Sequence, residues 1–139
     1  MNQIIVSFYK DAFISLHCAI SKGNVNIAKP LLLLSVIELI CCIETNNRIE
    51  ITRIKNKYEE LQKSYGATTP YQYPLYFLEN EEFFHLKWKE ARIKTHTPSA
   101  KLIRENVEYA YLDNALWNLL QDQQMQEYFR TILVNNFLK

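Results

Sequence analysis

Residues Pro30 to Ile43 read PLLLLSVIELICCI, interrupted by a single charge at Glu38. The run is short of the roughly 20 apolar residues that a bilayer-spanning helix needs. As a helix it is apolar nearly all round, so it has no face suited to water. A chain carrying such a segment must wrap its other elements around it. Pro30 belongs in the first turn, where a missing backbone N–H costs least. The spacing predicts a central buried helix from near Ala28 to about Glu44.

The flanking segments supply that wrapping. Ile5, Phe8, Ala12, Phe13, Leu16 and Ile20 recur at helical spacing, which predicts a helix from Ile4 to about Ser21. Lys22-Gly23-Asn24 is expected to end it. Arg48 to Ile51 reads as a short extended piece. Thr52 reads as the cap of a helix with Ile54, Tyr58, Leu61 and Tyr65 inward, and Gly66 as its stop. Leu75–Leu78 and Phe83–Trp88 read as two strands of a hairpin around Glu79-Asn80-Glu81-Glu82. In the second strand, Phe84, Leu86 and Trp88 alternate with His85 and Lys87, which predicts one apolar and one basic face. Thr97 is expected to cap a helix that has Pro98 at its first position. Tyr109–Leu112 reads as a connector. Asp113 is expected to cap DNALWNLLQ, and Asp122 to cap or bend the chain before the last helix, which has Met125, Phe129, Ile132, Leu133 and Phe137 inward. The expected class is α+β and predominantly helical: a helical core with a two-stranded β-hairpin, in a winged-helix-like arrangement. Residues 1–139 are expected to form a single domain.

Composition excludes several classes. With 2 glycines and 4 prolines the chain lacks the turns of a many-stranded sandwich, and neither GxGxxG nor GxxxxGK[ST] is present. The N-terminus has no basic region followed by a long apolar run, so no signal peptide is read and a cytoplasmic location is expected. The three cysteines, Cys18, Cys41 and Cys42, are an odd number with two adjacent, which is no disulfide framework. Cys41 and Cys42 are expected to be buried in the apolar helix, with thiol pKa values raised by that burial. No CxxC, HxxxH or HExxH spacing accompanies His17, His85 and His96, so no metal site is read and no cofactor is called for. Glu59-Glu60 reads as a solvated helix face, and Glu79, Glu81 and Glu82 as a charged hairpin tip. No nucleophile elbow or nuclease constellation is visible.

The polar residues that stand out are basic and local. From His85 to Arg104 the chain offers Lys87, Lys89, Arg92, Lys94, Lys101 and Arg104, with His85 and His96, against one acid, Glu90. The whole chain has a net charge of only +1, so this polarity belongs to the segment. Such a run suits phosphate binding, with neighbouring aromatic rings placed to stack on bases. A solvated strand edge protected by lysines accounts for the same charges.

AKPLLLLSVIELI, YPLYFLENEEFFHLKW and TPSAKLIRENVEYAYLDNALWNLL, in that order, resemble the N-terminal domain of HNH-type restriction endonucleases. That domain includes the sulfur-binding domain of type IV enzymes that target phosphorothioate-modified DNA. The resemblance spans roughly residues 27 to 138. It implies a DNA-recognition module of a bacterial defence system, the recognition part of such an enzyme without its nuclease part. A Tyr-Pro step, matched by Tyr73 and Pro74, then lines an apolar pocket for the sulfur. Phe77 falls where sulfur-binding members have a small residue, and so fills or reshapes that pocket. Of the pair preceding the helix proline, Lys29 fits the family and Ala28 departs from it. Tyr76 is left open between ligand and core. The implied partners are DNA, a separate nuclease subunit and a second copy of the chain, with no membrane. A protein-interaction or dimerisation module that has lost its DNA contacts stays open as the alternative.

Overall fold

The computed structural model describes residues 2–18, 20–21, 24–42 and 45–139. Helix α2 (Ala28–Cys42) is the axis, with every residue from Pro30 to Ile37 buried. Against it pack α3 (Ile51–Tyr65), α4 (Gln72–Phe77) and α7 (Gln123–Leu133), and α1 (Gln3–Ile14) packs on α7. Glu38, the one acid on α2, is met by Arg130 of α7, whose Nε donates to Glu38 Oε1 at 2.8 Å. The predicted end of α2 at Glu44 lies outside the described residues.

Helix α1 is capped by Asn2, whose side chain accepts from the Ile4 and Ile5 amides, and it buries Val6, Tyr9 and Phe13. Phe13 packs against Phe83 and Phe129 with ring centroids 5.2 and 4.9 Å apart. The helix stops at Ile14, well before the expected Ser21. Beyond it the His17 amide donates to Glu81 Oε1 at 2.8 Å, and Ile20–Ser21 (β1) pairs antiparallel with Asn24–Val25 (β2). A distant carboxylate and a strand partner override the local helical period. Lys22 and Gly23, the expected stop, lie outside the described residues.

The class is the expected one, predominantly helical α+β with a two-stranded antiparallel sheet. The sheet is assembled differently. Phe84–Trp88 (β3) alternates buried and exposed side chains as predicted, but residues 75–78 are not its partner. They belong to α4 and to the 3-10 turn Leu78–Asn80 that extends it. Pro74 sits in the first turn of α4, where it is tolerated, and Leu75, Tyr76 and Leu78 all reach the core. The true partner is β4 (Val107–Leu112), the predicted connector, in the register Phe84↔Leu112, His85↔Tyr111, Leu86↔Ala110 and Lys87↔Tyr109. Ile49, in the predicted extended piece, bridges Ala110 on the other edge of β4.

Three boundaries move. Helix α3 starts after Glu50 and not at a Thr52 cap, and it ends as expected on Gly66, at φ 67°. Helix α5 (Ala100–Asn106) is capped by Ser99, whose Oγ accepts from the Leu102 amide at 3.0 Å, so Thr97 and Pro98 precede it. Asp113 precedes α6 (Asn114–Leu119) without a side-chain cap bond, because its carboxylate is engaged elsewhere. Asp122 caps α7 through the Gln124 amide. Cys41 and Cys42 are exposed on the last turn of α2, not buried. The Cys42 thiol is nonetheless pushed up, first by its hydrogen bond with Cys41.

Candidate nucleic-acid interface

The start of α2, the loop before α4 and α4 itself enclose a recess of about 360 Å³. Ala28 and Lys29 of α2 contribute one wall, and Tyr73, Pro74 and Phe77 of α4 the other. His17, Cys18, Asn26, Thr69 and Asn80 complete it. The loop is braced from behind. The Tyr58 hydroxyl and the Gln62 amide of α3 both donate to the Thr69 carbonyl at 2.8 Å. Asn26 Oδ1 accepts from the Ala28 amide at 2.9 Å while its Nδ2 donates to Thr69 Oγ1 at 3.3 Å. The first turn of α2 and the loop are therefore held as one unit.

Lys29 is the cation of this recess. Its Nζ lies 3.4 Å from Glu81 Oε1, with the side chains 12% and 8% exposed. Glu81 also accepts from the His17 amide, and its Oε2 lies 3.4 Å from His17 Nδ1. Glu81 is thus a buried anchor and not a hairpin-tip charge; a carboxylate this enclosed is retained only where cations and N–H groups satisfy it. Burial pushes the Cys18 thiol up, against the opposing pull of Lys29, so the thiol at this wall stays protonated near neutral pH.

A second recess, of about 350 Å³, adjoins the first, sharing Phe77 and Asn80 with it. Tyr76, Arg92, Lys94, Thr95 and His96 line the remainder. Tyr76 was open between ligand and core; its ring is 2% exposed, and its hydroxyl organises the basic loop. That hydroxyl donates to the Ile93 carbonyl at 2.6 Å and accepts from the Thr95 amide at 3.0 Å. The Arg92 guanidinium lies over the Tyr76 ring, 4.4 Å from its centroid. Arg92 Nε donates to Glu79 Oε1 at 2.9 Å. Glu79 also accepts from Trp88 Nε1 and from the Leu86 amide, so one carboxylate ties β3 to the basic loop.

The predicted residues therefore divide. Lys29, Tyr73, Pro74 and Phe77 line the first recess, and Tyr76, Phe77, Arg92, Lys94 and His96 the second. His85, Lys87, Lys89, Lys101 and Arg104 line neither. Lys87 and Lys89 are exposed on and just after β3, and Lys101 and Arg104 on α5. His85 is bound to Asp113, Nε2 to Oδ1 at 2.6 Å, and stacks on Tyr111. Phe83, Phe84, Leu86 and Trp88 are core residues. Residue patterns did not single out Glu79, Glu81 or Asn26 for these roles. The signal available was three acids immediately ahead of a basic segment, a placement that favours pairing over solvation. Among the described residues, no group of three His, Cys, Asp or Glu is placed to hold a metal ion, and no helix is long and apolar enough to cross a membrane.

No protein-family model matches the sequence, and no curated protein matches it by sequence. Solved structures do match by fold. The chain aligns with the sulfur binding domain of SprMcrA complexed with phosphorothioated DNA at a TM-score of 0.78 and 16% identity, covering 96% of this chain and 86% of that one. It aligns with the sulfur binding domain and SRA domain of ScoMcrA complexed with phosphorothioated DNA at 0.76 and 16%, covering 91% of this chain. The type IV phosphorothioation-dependent restriction endonuclease ScoMcrA aligns at 0.74 and 16%, covering 93% of this chain. The chain spans 41% of the length of the former ScoMcrA structure and 29% of the latter. The fold is that of the sulfur-binding domains.

Proposed function

We propose that this chain is a non-catalytic DNA-recognition module of a restriction or defence system, and that its α2–α4 recess takes a phosphorothioate of the DNA backbone. The observation that carries the reading is the convergence of Lys29, Tyr73, Pro74 and Phe77 on one recess beside the loop of Arg92, Lys94 and His96. A non-bridging oxygen is strongly hydrated, and enclosing it against apolar walls without hydrogen bonds is costly. Sulfur is larger, softer and less hydrated, so the Tyr73–Pro74–Phe77 wall favours it. Lys29 supplies attraction to the anion, and the lysines and arginines beyond supply the sequence-independent backbone attraction. The fold shared with domains complexed with phosphorothioated DNA supports the same reading. On this view Lys87, Lys89, Lys101 and Arg104 meet flanking phosphates, and His85 lies outside the contact. A separate nuclease subunit, a second copy of the chain and a cytoplasmic setting belong to the same proposal.

The test is a titration against matched duplexes with and without one stereodefined phosphorothioate, in several sequence contexts and at two salt concentrations. The expected result is tighter binding of the modified duplex, with the preference abolished by Tyr73→Ala. Equal, salt-sensitive binding of both duplexes would reduce the reading to a general DNA module. No binding at low salt would overturn it in favour of a protein-interaction module.

A further inference from the structure

The solvent face of the β3–β4 ribbon carries a second constellation that the α2–α4 site does not use. Tyr109 and Tyr111 alternate outward on β4, opposite Lys87 and His85 on β3. Their ring centroids are 5.9 Å apart, and both rings are partly exposed. The Arg48 guanidinium lies 5.4 Å from the Tyr109 centroid, brought there by the Ile49–Ala110 bridge. Together with Asn46, Asn47 and Asn114 these residues line a recess of about 520 Å³. The Asn47 amide is consumed by both backbone groups of Leu112. Asn46 and Asn114 are exposed at the rim, and an amide offers both donor and acceptor. The Asp113 carboxylate, beside Asn114, is held by His85 on one oxygen and by the Tyr9 hydroxyl on the other, which moderates its repulsion of an anion.

We infer that this face is a binding site for single-stranded nucleic acid, with an unpaired base stacking on Tyr109 and meeting Tyr111, whose ring is inclined at 56° to Tyr109 and is backed by His85, along its edge. Aromatic rings on a β-ribbon accept any base through its π-face, and flanking cations follow the backbone. Here Arg48 supplies the cation beside the ring pair. The rim amides of Asn46 and Asn114 suit the polar edge of a base that has no pairing partner. The complementarity is to a planar, polar-edged ring carrying a phosphate. The inference is independent of the phosphorothioate reading, which concerns duplex DNA at α2–α4.

The experiment is fluorescence anisotropy of the full chain with a labelled single-stranded DNA of mixed sequence and roughly ten nucleotides, within the usual size range of such sites. It is repeated with Tyr109→Leu, Arg48→Ala and Tyr73→Ala, each checked for folding by circular dichroism. Arg48 is exposed, so its variant keeps the test open if Tyr109→Leu fails to fold. Single-strand affinity is expected to fall by roughly 10-fold or more in the two ribbon variants, the scale of one lost base–ring stack, and to stay unchanged in Tyr73→Ala. Amide shifts on titration should centre on residues 46–48 and 109–114. No single-strand binding at low salt, equal binding by wild type and Arg48→Ala, or shifts confined to residues 92–96 would each overturn the inference.

Discussion

A single hydroxyl shapes the basic loop. Tyr76 reaches from α4 to the Ile93 carbonyl and the Thr95 amide, so it stands in for the backbone partners that an irregular segment lacks. Tyr76→Phe keeps the ring and its contact with Arg92 but strands two backbone groups. The variant is expected to lose about 1–3 kcal/mol of stability, read by urea denaturation, and to show faster amide exchange at Thr95. An unchanged exchange rate there would show that the loop holds itself. Two other phenols report on pH. Tyr9 is pushed up to about 12 by burial and by its hydrogen bond to Asp113, and Tyr58 to about 12 by burial. Both start from 10.0, so the folded chain holds these protons more tightly than the unfolded chain does. Their contribution is full below pH about 10 and is lost as pH rises toward about 12. Denaturation midpoints should fall across that window, and the fall should flatten in Tyr9→Phe.

Among the elements, α3 offers the cleanest test of backbone conformation. Gly66 closes it at φ 67°, with nothing within 4 Å of where a Cβ would stand. The cost of a side chain there is conformational alone. Gly66→Ala is expected to destabilise by about 1 kcal/mol and Gly66→Asn by less, since asparagine tolerates the left-handed region. Equal losses in thermal melts would contradict this. Elements such as α3 were legible because their burial follows their own period: α2 from its unbroken apolar run, α7 from its stripe, β3 from its alternation. The pairing of β3 was not legible. Its partner β4 lies beyond α5, and the nearby aromatic run at residues 75–78 looked extended because a short apolar run fits a strand or a helix equally. The end of α1 was missed for a related reason: a contact with Glu81, far along the chain, decides it. In the site, Tyr73, Pro74 and Lys29 were reached through the family resemblance, while Glu79 and Glu81 were hidden because pairing partners are not adjacent in sequence.

At the level of the whole molecule, charge is distributed rather than abundant. The net charge is +1, yet Lys87, Lys89, Lys94, Lys101 and Arg104 make no ion pair among the described residues, whereas Lys29 and Arg92 are tied to carboxylates. DNA binding, on the proposed function, should therefore weaken steeply with salt, by about 0.9 in log–log slope for each phosphate neutralised. Lys94→Ala should reduce that slope by about one such step in a salt titration, and a slope that does not change would remove Lys94 from the contact. Two side chains, Phe77 and Asn80, link the two recesses of the proposed interface. Phe77 stands in the wall of both. A lineage that trims it gains room in the apolar recess and in the basic recess by the same substitution. On the proposed function, the fit to the sulfur atom and the grip on the strand beside it therefore change together when Phe77 changes.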